Sequence, residues 1–180
     1  MEPMQPQQAL EYLQFTLPVL KNEHKITKRM IEAVPVDKGD YCPDGVSKSA
    51  FELAWHVAAA DNTFLDAAAS GQFDFDKNKR PESIRNSADI AEWYEETWDR
   101  HFNRLTEMSG EHLAKLVDFR GLMQLPAVLI LRLGMHHTIH HRGQLSMYLR
   151  PMGAKVPSIY GESYDDRQAR LAAQTQTSTA

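Results

Sequence analysis

One cysteine, Cys42, stands in 180 residues, so no disulfide can form within the chain. So sparing a use of thiols suits a reducing compartment. No uncharged run approaches the roughly 18–20 apolar residues that a membrane-crossing helix needs. The opening stretch MEPMQPQQALEYLQF has no basic segment leading into an apolar one, the pattern of a secretion signal. A cytoplasmic location, with no membrane partner, is therefore expected. Excess positive charge is missing too: the net charge is −4, and the lysines and arginines do not cluster. Phosphate backbones and anionic lipids find no field to hold them, which argues against a nucleic-acid partner. Strictly alternating polarity, the mark of a half-buried strand, is absent, and so are internal repeats.

What the chain does contain is helical periodicity. Leu10, Leu13, Leu17, Leu20, His24, Thr27 and Ile31 recur every three or four residues in a first helix over about 7–33. Pro18 lies inside it and predicts a kink or a late start. A second helix is expected from Ser47 or Ser49, whose hydroxyls can cap a helix start, to Gly71. A third opens at Asn86 or Ser87 and closes near Gly110, with a short helix in GEHLAKLV. The fourth runs from Pro126 to Arg150, stopped by Pro151. Four long helices and no strand give an all-α fold of the four-helix-bundle type, in which cofactor sites form between facing helices. One domain is expected over residues 1–166, with a polar, flexible tail over 167–180.

The fourth helix carries four histidines in six positions, GMHHTIHHRGQ. Each residue advances about 100° around a helix, so with His137 at zero, His141 falls at about +40°, Gln144 at −20° and Tyr148 at +20°. Ile130 and Leu133 share that face, which is read as the core-facing stripe. Arg132, Arg142, Ser146 and Arg150 collect opposite, and His136 and His140 fall toward the margin. Rings one turn apart have Cβ atoms roughly 5–6 Å from each other and can reach one ion. The plainer reading is two core histidines satisfied by Gln144, Tyr148 or buried water, and spacing leaves the two readings level. Thr138 stands where a zincin protease has its glutamate, which argues against that enzyme class.

A third ligand has to come from another helix. His56 borders the apolar face of the second helix, beside the small residues Ala58, Ala59 and Ala60. His24, in the seam of the first helix, is its rival; His101 and His112 sit among polar neighbours and read as solvated. Glu52, one turn before His56, is a candidate to orient that ring or else an ordinary exposed residue.

The segment HHTIHHRGQLSMYLRPMGAKVPSIYG, from His136 to Gly161, resembles the C-terminal signature of the DinB superfamily, also called YfiT-like. AFELAWHVAAADNTFL resembles that family's second helix, and together the two matches span nearly the whole domain. The resemblance implies a four-helix bundle of up-down-down-up type and a homodimer. It also implies one divalent ion (Zn, Ni or Fe) held by three histidines, carried over by position as His56, His137 and His141. Relatives use low-molecular-weight thiols, so the chemistry it implies is thiol S-transfer to a small-molecule substrate. A metal-dependent hydrolase and a non-catalytic metal-binding stress protein are the alternatives, and no catalytic residue is assigned.

Several neighbours complete the expected picture. Gln144 and Tyr148 share the ligand face, and Tyr160, in the VPSIYG loop, can cover the mouth of a pocket. Arg142 points away from the ion and reads as a structural salt bridge or an interface contact. Val128, Leu131, Met135 and Ile139 form an outer apolar stripe, through which a two-fold dimer is expected.

Overall fold

The first helix, α1 (Pro6–Glu32), starts on a proline, whose missing N–H is no loss in a first turn. It continues unbroken through Pro18 instead of starting late. Pro18 is exposed, so the backbone acceptor it leaves unpaired one turn earlier can turn to water. Helix α2 (Ala50–Ser70) is opened by a reciprocal cap: Ser49 Oγ accepts the Glu52 N–H at 3.2 Å, and the Glu52 carboxylate accepts the Ser49 N–H at 2.9 Å. It ends at Gly71, which takes the left-handed conformation at φ 81°. Helix α3 (Ser87–Thr106) is capped by Asn86, whose side chain accepts from the Ala88 and Asp89 amides. The structure is a computed structural model and describes residues 3–177; Met1, Glu2 and residues 178–180, at the ends of the expected domain and tail, lie outside the described residues.

Beyond α3 the chain departs from a bare four-helix bundle. A short helix, α4 (Gly110–Ala114), leads into an antiparallel hairpin, β1 (Leu116–Phe119) and β2 (Met123–Pro126). Four-residue strands are too short to display an alternating pattern, so the expectation of no strand fails here. The fourth long helix, α5 (Ala127–Leu149), follows directly. The polar segment read as a tail forms a further helix, α6 (Tyr164–Thr177). Six helices and one hairpin are present among the described residues. None of these helices is long and apolar enough to cross a membrane.

Contacts between the long helices fix their directions. Helix α2 packs on α3 and α5, and α1 packs on the same two. Ser87 Oγ donates to Val34 O, placing the start of α3 beside the end of α1. Tyr94 bonds Asp61 and Arg104 bonds Asp66, so α2 and α3 run the same way. Gly134 meets Phe64 while Tyr148 reaches Lys48, so α5 runs against α2. At Gly134 a Cβ would lie 2.5 Å from that of Phe64, and only a glycine allows the two helices this approach.

The orientation of α5 corrects the helical wheel. Its buried residues, among them Leu131, Gly134, Thr138, Arg142, Leu145 and Leu149, centre about 100° from His137. His137 and His141 are half-buried at the edge of this face. Arg142, read as outward-facing, is 1% exposed, because Glu23 Oε2 lies 2.7 Å from its guanidinium. The outer apolar stripe is corrected with it. Val128 and Leu131 are buried within the chain, and Met135 and Ile139 are partly covered.

Candidate metal centre

Helix α2 presents His56 toward α5, and α5 returns His137 and His141 one turn apart. The three rings meet with centroids 5.0 Å (His56–His137), 4.4 Å (His56–His141) and 4.4 Å (His137–His141) apart. One ring nitrogen from each lies within 4.8 Å of the others, the geometry of a cluster able to hold a metal ion. Ligand nitrogens around a tetrahedral ion stand roughly 3.4 Å apart, so small ring rotations bring the set into range. Among the described residues no other His, Cys, Asp or Glu joins the group.

The electrostatics suit neutral donors. Burial first, and then the adjacent His141, push His56 down to about 4 and His137 down to about 4. Both rings are therefore uncharged at neutral pH and keep a lone pair for a ligand. His137 Nδ1 is buried without any hydrogen-bond partner, an arrangement that costs free energy unless something else engages it. Gln144 Oε1 lies 2.7 Å from His141 Nδ1. The amide oxygen can only accept, so Nδ1 carries the proton and Nε2 is free.

The neighbours divide between those that join the cluster and those that do not. Gln144 joins it, and Tyr148 lines an adjoining cavity of about 400 Å³ with His141, its hydroxyl donating to Lys48 O at 3.3 Å. Glu52 lines a cavity of about 390 Å³ with His56, and its carboxylate is engaged in capping α2. Tyr160 is not at the pocket mouth: its hydroxyl accepts from Arg142 at 2.6 Å and donates to Glu23 at 2.9 Å, across α5 from the histidines. His24 lies outside the cluster, stacked on Trp98 at 4.1 Å with Nε2 3.3 Å from Glu95. His101 and His112, expected in water, are also tucked in. His101 is 8% exposed beside Asp66, and His112 Nε2 meets Ala68 O at 3.0 Å. His136 and His140 are exposed.

Sequence reasoning missed a wall of the site altogether. Phe73 and Phe75, from the α2–α3 connection, and Phe119 and Arg120, from the hairpin, close with Phe64 over His56 and His137 around a cavity of about 350 Å³. The signal was present in QFDFD, where two phenylalanines stand in an otherwise polar connection.

Comparison with known proteins follows the same outline. A family model described as the DinB family matches residues 7–177. YjoA, an uncharacterized protein of Bacillus subtilis, is 28% identical over 134 residues, 73% of this chain and 85% of its own length. YrdA, a second uncharacterized protein of that organism, is 28% identical over 116 residues, 63% of this chain and 67% of its own. The crystal structure of YjoA, a DinB-like protein, superposes with a TM-score of 0.67 at 25% identity, covering 82% of this chain and 98% of that one. A DinB-like protein from Bacillus cereus gives 0.68 at 22% identity, over 83% and 95% of the two chains.

Proposed function

The chain belongs to the DinB family, and on that premise we propose that His56, His137 and His141 hold one divalent ion, Zn, Ni or Fe, in a metal-dependent enzyme that joins a low-molecular-weight thiol through its sulfur to a small electrophile, the thiol giving up its proton and the electrophile its leaving group. The observation that carries this reading is the convergence of three imidazoles from two helices, one with a buried, unpartnered nitrogen. When bound, such an ion supplies Lewis acidity, which lowers the pKa of a thiol toward neutrality.

The chain's own residues supply binding and orientation. Gln144 holds His141 in the tautomer that frees Nε2. Phe64, whose ring lies 5.5 Å from that of His137, gives that side of the centre an apolar wall. Three imidazoles with no fourth His, Cys, Asp or Glu beside them among the described residues leave a coordination position for a substrate, which favours an enzyme over a closed structural site. A hydrolase needs a base for the attacking water, and Glu52, the carboxylate one turn before His56, is committed to its helix cap. That favours thiol transfer over hydrolysis.

The test has two stages. Elemental analysis of freshly purified protein is expected to find about one divalent ion per chain, lost in His56→Ala. Metal-loaded protein is then given several biological thiols and an alkylating electrophile; turnover no greater than that of His137→Ala overturns the transferase reading. The resemblance also implies a homodimer, formed through a surface other than the α5 stripe, and light scattering at micromolar concentration reads it directly.

A further inference from the structure

We infer that the phenylalanine-walled cavity beside the histidines binds a small aryl carboxylate, its ring against the aromatic wall and its charge at Arg120.

The wall is built from separate parts of the chain. Phe64 and Phe73 meet edge to face at 5.5 Å, Phe73 and Phe119 at 5.0 Å, and Phe73 stacks on Phe75 at 5.4 Å. Edge and face contacts of this kind accept a further aromatic ring readily. The polar groups on the other wall do not ask for a polar ligand. Asn78 Nδ2 donates to Thr63 Oγ1 at 2.9 Å, and Thr63 donates to Ala59 O at 2.8 Å. The body of the occupant is therefore apolar.

Its charge follows from Arg120. This is the one permanently charged side chain lining the cavity, and among the described residues no carboxylate lies within ion-pair distance of it. Its guanidinium lies 4.0 Å from the centre of the Phe75 ring. The hairpin turn holds Arg120 at φ 55°, a left-handed conformation that glycine adopts freely and other residues adopt rarely. An exposed cation held over an aromatic wall without an ion pair matches a singly charged anion. One guanidinium and no second base suit a carboxylate better than a phosphate dianion.

That this occupant is the electrophilic substrate rests on the proposed function; that the cavity binds it does not. The experiment keeps the two apart by using the full chain after chelation as well as after zinc loading. Calorimetric titration compares 4-phenylbutyrate with 4-phenylbutylamine, which share a body and differ in charge. The acid is expected to bind about fivefold more tightly than the amine, the scale of one partly exposed ion pair. Arg120→Gln is expected to erase that preference, and Phe73→Leu to weaken both probes together. No binding of the acid, equal affinity for acid and amine, or a preference unchanged in Arg120→Gln overturns the inference. A chain that takes up no ion yet still prefers the acid refutes the metal reading and leaves this one standing.

Discussion

Helix α5 separates two groups of polar side chains that meet burial in opposite ways. On one side Arg142 is held by Glu23, Thr27 and Tyr160, while Asp61 accepts from Tyr94 at 2.6 Å and from Thr138 at 2.9 Å. None of the buried atoms in that network lacks a partner. On the other side three imidazoles crowd together, one with an orphaned nitrogen, and open onto cavities. A network that satisfies itself is a structural device tying α1, α2, α3 and α5 together. A cluster with an orphaned nitrogen and cavities beside it has room for something from outside the chain.

The comparison breaks most visibly at Arg142. Arg142→Ala leaves the Glu23 carboxylate buried and unpaired, and urea unfolding is expected to show a loss of about 3–5 kcal/mol. Gly134→Ala comes next. Its methyl would press into Phe64, and the same measurement is expected to show about 1–3 kcal/mol lost, with weaker zinc binding by calorimetry as α2 and α5 are pushed apart. His137→Ala acts on the open side, and chelated protein is expected to change by less than about 1 kcal/mol. Zinc should raise the melting temperature of the parent chain and leave that of His137→Ala where it was. A large loss in the chelated His137→Ala protein would show that both sides of α5 are structural.

The finest measurement is a slope. Burial raises the Asp61 carboxyl above its ordinary value of 3.8, against the lowering pull of Tyr94 and Thr138. The folded chain thus holds that proton more tightly than the unfolded one. Asp61 contributes its full share of stability below 3.8 and loses it as pH rises through the folded value. Asp61→Asn has no such proton, so its stability relative to the parent is expected to improve as pH rises. A difference that stays flat across that range would mean that the network has absorbed the charge.

Much of the scaffold was legible because its signals are local. The caps at Ser49 and Asn86 and the three-to-four residue spacing of Leu13, Leu17, Leu20, His24, Thr27 and Ile31 belong to single helices. The His137–His141 pair was legible for the same reason, being one turn apart on one helix. The rotation of α5 was not, because the partner that buries Arg142 stands 119 residues away in α1, and an isolated arginine reads as a surface residue. The hairpin strands are too short to display a period, and the phenylalanines of the cavity come from connections, where periodicity carries no information. Tyr160 was misplaced for a related reason: loop sequence gives no direction, and its hydroxyl turns to Arg142 and Glu23.

The close seat of Gly134 on Phe64 has a consequence for how such a protein can diversify. Phe64 at once spaces the two helices, walls the cavity and borders His137, so altering it would disturb the imidazoles together with whatever they serve. Phe73, Phe75, Phe119 and Arg120 carry no such double duty. New preferences can be acquired by rewriting two short connections, while the paired rods behind them keep their gauge.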